Sequence, residues 1–352
     1  MMPLPSKTNI AAAFLGCAGP METIAHSDRN ALRILAYHRV LSPDTARPGG
    51  GMAGFAFDDG VISASTEGFY RQMSYVQRNF NVVSFKDIYA AERQAGALPP
   101  RPLIVTFDDG YRDNYTNAFP VLKELGVPAT IFVATSHMGS KSLFWWDLVA
   151  YCINTTERTD LTLDEISGHA LPLGTSCERR VAIARVLAWV KMVPEKTKAR
   201  FVRDLPAALG VEIPPDLSVA MHLSWDEIRE MADCGIEFGS HAVSHPVLSK
   251  VDDDQLEREV VDSKAALQRE LGKEAIVFSY PVGGQGNFDA RTRAAVIRAG
   301  YKYAVSYIEG VGRTVDLDRY AMPRIHVEAD HSLNRFRANL RFPSLMLRSA
   351  AR

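Results

Sequence analysis

Two adjacent carboxylates, Asp108 and Asp109, close the segment Thr106-Phe107-Asp108-Asp109-Gly110, directly after the apolar run Leu103-Ile104-Val105. Like charges that close raise one another's pKa unless a cation neutralises one, so the pair invites a division of labour: one holds metal, the other handles protons. A helix N-cap or turn built on Asp109 and Gly110 would explain one aspartate but hardly both. The second group is Ser240-His241-Ala242-Val243-Ser244-His245-Pro246, placed after the run Ile236 to Gly239. Histidines at i and i+4 face the same way if the segment makes one helical turn, a geometry that chelates metal. A pair of loop histidines bonded to backbone is the alternative. A zinc-protease helix needs glutamate after the first histidine, and Ala242 stands there instead. Together the two groups supply two histidines and a carboxylate with open positions for water and substrate. Zinc in such a set lowers the pKa of bound water to about 7. The chemistry expected is metal-assisted hydrolysis of an amide or ester, with the remaining aspartate taking the water's proton.

The elements that must position these residues follow a β-α-β-α rhythm from Ile34 onward. Strands are expected at Ile34 to Val40, Asn81 to Ser84, Leu103 to Phe107, Ala129 to Ala134, Ile236 to Ser240, Ile276 to Tyr280, Tyr301 to Ser306 and Met322 to Val327. Helices are expected at Thr116 to Leu125 and Gln255 to Leu271, each stopped by the glycine that follows, and at Ala290 to Ala299, stopped by Gly300. Ser224 and Glu227 form a capping box for a further helix that ends at Gly235. Polar residues recur just after several strands: His38, Asp108 with Asp109, His241, and Pro281 with Gly283. In a parallel barrel those strand ends converge on one mouth, which favours a barrel, open or closed, over a doubly wound sheet. Residues 137–221 break the rhythm with a Trp-rich start, Phe144-Trp145-Trp146-Asp147, and helical segments without a clear strand. They read as a largely helical insertion, either a lid or groove wall or a plain packing layer.

The 352-residue chain is 47% hydrophobic, carries 40 basic against 41 acidic side chains for a net charge of −1, and so presents no global field for nucleic acid. Cys17, Cys152, Cys177 and Cys234 are scattered without a C-x-x-C pair, which excludes a zinc ribbon and suits a reducing compartment. Lys7 and the short apolar run Ile10 to Ala18, broken by Gly16, lie near the lower limit for a signal peptide. A cytoplasmic location is expected, with a periplasmic or exported protein as the alternative.

TFDDG, then H-x-x-x-H-P, then a P-x-G segment in this order resemble the polysaccharide deacetylase family (carbohydrate esterase family 4), which includes chitooligosaccharide and peptidoglycan deacetylases. The resemblance spans Ile34 to Val327 apart from the insertion. It implies a distorted (β/α) barrel, with residues 1–33 preceding it, residues 34–330 forming it, the helical insertion at about 137–221 and a tail at 331–352. It implies Asp108 as catalytic base and Asp109, His241 and His245 as ligands of one divalent metal ion, zinc first, with cobalt, nickel, manganese and iron as alternatives. The implied reaction is N-deacetylation, or N-deformylation, of an amino sugar in a polysaccharide, oligosaccharide or lipid-linked glycan, within bacterial glycan biosynthesis. The family's third motif usually reads R-x-P-aromatic-G; here it is Ser279-Tyr280-Pro281-Val282-Gly283, without the arginine that steadies the catalytic aspartate. Arg324, in Met322-Pro323-Arg324-Ile325, is expected to supply that charge, and the Val282 N–H to stabilise the oxyanion, with Tyr280 and Pro281 on the substrate side. For the acid that protonates the leaving amine, His38 is preferred to His326 on strand-end placement. A catalytically silent sugar-binding relative is the competing reading, encouraged by the missing arginine. An iron(II) oxygenase is a remote one, because its ligand order differs.

Three further features carry expectations. Phe57-Asp58-Asp59-Gly60 repeats the FDDG string without an apolar strand before it, and reads as a turn outside the site or at most an edge of the groove. Phe144, Trp145 and Trp146 are expected in a core, with stacking on a sugar ring as the alternative. The tail from His331 holds five arginines and no acid. It is either a basic amphipathic segment on an anionic membrane surface or a last helix packed on the barrel.

Overall fold

The structure is a computed structural model that describes residues 31–42, 57–162, 170–215, 217, 221–312 and 318–347. The signal-like run Ile10 to Ala18 and the loop Arg47 to Gly51 lie outside them. Twelve strands are present among the described residues: β1 (Arg33–Tyr37), β2 (Arg39–Leu41), β3 (Ile62–Ser65), β4 (Asn81–Val82), β5 (Pro102–Phe107), β6 (Thr130–Val133), β7 (Asp160–Thr162), β8 (Ala170–Pro172), β9 (Glu237–Ser240), β10 (Val277–Ser279), β11 (Tyr303–Glu309) and β12 (Met322–His326).

Seven of them close a parallel ring in the order β1-β12-β11-β10-β9-β6-β5, and β5 returns to β1 through five registered pairs from Arg33↔Leu103 to Tyr37↔Phe107. The short β4 flanks the start of β5. The expected barrel is therefore a closed, seven-stranded (β/α) barrel. Alternation along each strand sorts its side chains into two clusters. Ile34, Ile104, Phe132, Val277, Val305 and Met322 share one buried cluster with Phe85. Leu35, Leu103, Val105, Ile131, Val133 and Phe278 belong to another, which includes Phe69, Val76, Val260 and Leu267 of the surrounding helices. The strands are apolar on both faces because both are covered, as parallel sheets require. Gly239 in β9 is needed for closure: a Cβ there would lie 2.6 Å from the Phe132 ring.

The helices stop where the glycines said they would. Phe119–Leu125 and Asp253–Leu271 end on left-handed Gly126 and Gly272, and the box of Ser224 with Glu227 caps Trp225–Asp233. Two local expectations fail. The first strand does not run unbroken to Val40. It stops at Tyr37, and β2 leaves to pair with β3, so His38 sits at the corner where the chain departs from the barrel. The insertion, where no clear strand was expected, holds β7 and β8 as an antiparallel pair beside the helices Trp145–Thr155, Ser176–Met192 and Glu195–Leu209. Three-residue strands carry too little alternation to be seen in sequence.

The insertion has its own core, in which Val149, Ile153, Val186, Leu187 and Leu205 pack with Trp145 and Trp146. The tail helix Leu333–Arg341 turns Phe336 and Leu340 into the barrel's helical layer, and Arg33 Nε donates to the Leu340 carbonyl at 2.8 Å. Its apolar face is occupied, so the packed-helix reading describes this segment and the membrane-surface reading loses the face it needs. Arg348 and Arg352 lie outside the described residues. No described helix is long and apolar enough to cross a membrane.

Candidate active site

On β5 the inward positions run Ile104, Thr106, Asp108, so Asp108 is the next inward residue beyond the strand's end. Asp109 would face away by the same alternation. Its φ of 77° instead turns the chain, and the carboxylate comes to lie 3.5 Å from His241 Nε2 and 3.4 Å from His245 Nε2. Among the described residues only six besides glycine have positive φ, and four of them, Asp109, Ala242, His245 and Val282, are in these loops. Left-handed backbone at such residues costs roughly 1 kcal/mol or more each, and persists only where surrounding structure imposes it.

The segment from His241 to His245 makes no helical turn, contrary to expectation. Left-handed Ala242 and His245 bring the two rings together, with Nε2 atoms 3.1 Å apart. Glu259, from the helix Asp253–Leu271, holds the loop by accepting the N–H groups of Val243 and Ser244 and the Ser244 hydroxyl. His241 Nδ1 donates to the Ser279 carbonyl at 2.7 Å, leaving the Nε2 lone pair for the centre.

Asp109, His241 and His245 offer three ligand atoms within 4.8 Å of one another, and all three residues are buried. Burial, and then the negative charges of Asp108 and Asp147, push the Asp109 carboxyl well above the usual range. Two imidazole nitrogens in contact beside a carboxylate that resists ionisation form a group of donors that a cation would stabilise. The donor set suits a divalent metal of the zinc type.

Asp108 is held differently. Burial alone would raise its pKa, but Arg324 donates Nη1 to Oδ1 at 2.8 Å and Nη2 to Oδ2 at 2.6 Å, and the carboxyl stays well below its ordinary range. Arg324 is fully buried on β12 and also donates to Thr106 Oγ1 and the Ser306 carbonyl. It thus gives Asp108, from another strand, the guanidinium partner that no arginine before Tyr280 supplies.

The other expected residues divide. His38 Nε2 lies 4.0 Å from Asp108 Oδ2 and its side chain borders the site cavity; burial lowers its pKa to about 4. His326 faces inward as alternation requires, but its ring stacks on Tyr307 at 3.8 Å, and Tyr307, not His326, lines the cavity. Val282 lines the cavity. Tyr280 borders it too, although its hydroxyl donates to the Tyr320 carbonyl and its ring stacks on Phe288. Pro281 is buried and does not line the cavity.

Sequence reasoning missed Tyr307 because the strand was expected to end at Ser306, whereas β11 runs to Glu309 and its inward positions continue 303, 305, 307. It also set the Phe57-Asp58-Asp59-Gly60 string apart from the site. The segment is indeed a turn, with Asp58 capping the short helix Asp59–Val61, but Asp58, Gly60 and Val61 line the cavity. Lys191, on the insertion's second helix, lines it as well. The tryptophans fulfil both alternatives: Trp145 and Trp146 are core residues that also form cavity wall. Trp146 packs on His245 with ring centroids 4.5 Å apart and is fixed by a chain in which its Nε1 donates to Tyr111 Oη at 2.7 Å and Tyr111 donates to Asp147 at 2.7 Å. Asp147 is fully buried, and that burial pushes its pKa up to about 7.

The fold and the site define a (β/α) barrel whose mouth carries a metal-ready triad beside an arginine-clamped aspartate. The chain belongs to the polysaccharide deacetylase family, whose model matches residues 95–304. It is 24% identical over 236 residues to YxkH of Bacillus subtilis, named for the same family, covering 67% of this chain and 55% of that protein. It is 29% identical over 114 residues to the poly-beta-1,6-N-acetyl-D-glucosamine N-deacetylase of Staphylococcus epidermidis, covering 32% of this chain and 39% of the relative. The chain thus spans about half the length of the first relative and less of the second. The Streptococcus pyogenes deacetylase PplD, solved in complex with acetate, shares the fold with a TM-score of 0.55 at 19% identity, over 86% of this chain and 95% of that one.

Proposed function

We propose that the chain is a metal-dependent N-deacetylase that hydrolyses the acetamido group of an amino sugar in a glycan. The observation that carries this reading is the pairing, in one cavity, of the Asp109, His241 and His245 ligand set with an Asp108 kept ionised by Arg324. A divalent cation held there, zinc by preference, supplies Lewis acidity toward a carbonyl oxygen and makes a water acidic near neutral pH. Asp108 accepts the proton of the attacking water, and Arg324 keeps its carboxylate ionised and oriented for that task. The Val282 N–H is the proposed donor to the oxygen that gains charge. His38, neutral near pH 7 and 4.0 Å from Asp108, takes up that proton through a bridging water and delivers it to the departing nitrogen as the C–N bond breaks. His326, behind Tyr307, has no such access. The products are acetate and a free amino sugar.

A silent binder drew its support from the missing arginine, and Arg324 removes that support. The iron oxygenase reading has none in a chain of this family. The substrate class rests on the glycan for which the staphylococcal relative is named and on aromatic cavity walls suited to a sugar face. The test is acetate release from beta-1,6- and beta-1,4-linked N-acetylglucosamine oligomers with added zinc, cobalt or nickel. Metal-dependent release is expected, and a folded, metal-loaded protein that releases acetate from neither series would overturn the reading.

A further inference from the structure

The cavity, of about 250 Å³, is not walled by the barrel alone. Asp58 reaches it from the turn after the 43–56 segment, and Lys191 from the insertion's helix Ser176–Met192. The Asp58 turn precedes residues 95–304, the part matched by the family model. It is also built rather than loosely apposed. Arg180 pairs with Asp59 at 3.4 Å, and the Phe57 ring stacks on Tyr151 at 5.8 Å. Both anchors come from the insertion, which thereby carries the turn to the mouth.

Asp58 Oδ1 accepts the Gly60 N–H at 3.0 Å, which fixes the carboxylate and leaves Oδ2 without a partner among the described residues. Lys191 likewise has no hydrogen-bond or ion-pair partner among them, and it does not pair with Asp58 although both face one space. An acceptor and a donor of opposite charge, held apart across a cavity that also has Trp145 and Trp146 in its wall, match a neutral ring with hydroxyls on its rim and an apolar face. An anionic substituent would gain from Lys191 but meet the Asp58 carboxylate. We propose that Asp58 and Lys191 form a two-point reader of sugar hydroxyls that selects a neutral acetamido-sugar chain and sets its position relative to Asp108 and the metal ligands. This rests on the deacetylase reading and adds the specificity determinants to it.

Asp58→Asn is the informative variant, because the amide oxygen still caps Gly60 while an N–H₂ donor replaces the free acceptor. Lys191→Met keeps the stem and removes the ammonium. Two measurements are paired: steady-state acetate release, and calorimetric binding of N-acetylglucosamine tetramers to metal-loaded protein carrying Asp108→Asn. A lost hydrogen bond to a charged group is expected to raise KM and Kd about tenfold or more for Asp58→Asn and a few-fold for Lys191→Met, with kcat and metal content within about twofold. Tetramer affinity that is unchanged in both variants, or no tetramer binding at all, overturns the reader. Binding that weakens in the variants without acetate release from the wild type leaves the reader standing and overturns the deacetylase reading instead. Acetate release with KM and Kd unchanged does the reverse.

Discussion

The string Phe-Asp-Asp-Gly occurs twice, at 57–60 and at 107–110, and the two copies stand in different surroundings. The second follows β5, whose neighbours on both sides fix its residues to the register, so Asp108 inherits an inward position and a buried arginine waits for it. The first follows no strand, sits in a turn tied to the insertion, and places one carboxylate at the cavity while Asp59 stays on the surface with Arg180. Identical tetrapeptides therefore differ by what their flanks impose. Burial beside a charge partner suits Asp108 to the proton handling proposed for it, and the partly exposed Asp58 is the one proposed to read the ligand.

The largest effects should come from the second copy. His241→Ala removes one of three ligands, and metal analysis should find well under one equivalent bound, with deacetylation lost. Asp108→Asn should keep the metal yet lower kcat by about 10³-fold, within the range typical of a lost general base. Equal losses in Asp108→Asn and Asp58→Asn would erase the contrast between the copies.

Arg324→Met leaves Asp108 buried without its partner, a change that typically costs about 3–5 kcal/mol when a buried pair is broken. Thermal unfolding should show a marked fall in Tm, accompanied by a shift of the acid limb of the pH–rate profile to higher pH as Asp108 loses the charge that depresses its pKa. An unchanged acid limb would separate Arg324 from the protonation state of Asp108.

A smaller effect concerns pH. Burial lowers the pKa of His137, His222 and His326 to about 4, 3 and 4 respectively, below the unfolded value of about 6.5. The unfolded chain therefore binds protons first as pH falls, and stability present above about pH 6.5 should be lost progressively toward pH 4. Denaturant midpoints across that window should fall less steeply in His326→Phe than in the wild type. The smallest effect is assigned to Asp59→Asn. Its pair with Arg180 has both side chains more than half exposed, so Tm should scarcely move, and a large drop would show the lip to be anchored more tightly than its surface pair implies.

All eight strands expected from hydrophobic runs exist in the structure, and the seven that form the barrel were legible because a strand buried on both faces writes its burial into consecutive residues. The metal-ready triad was legible for a related reason: histidines and paired aspartates just after such strands have few other uses. What escaped was set by contact. Tyr307 lay one residue beyond an expected strand end, and β7 and β8 were too short to show a period. Lys191 and Asp58 are ordinary surface residues until the insertion brings them to the mouth.

By itself, the sequence determined the succession of strands and helices along the chain, the capped helices and the chemical identity of the groups at the strand ends, all of which depend on local pattern and side-chain type. Only the tertiary structure decided that Arg324 clamps Asp108 from across the ring, that His38 and not His326 reaches the cavity, and that four left-handed residues turn the site's loops. Those outcomes depend on ring closure, which brings residues more than 200 positions apart within hydrogen-bond distance and supplies the packing that holds strained backbone in place.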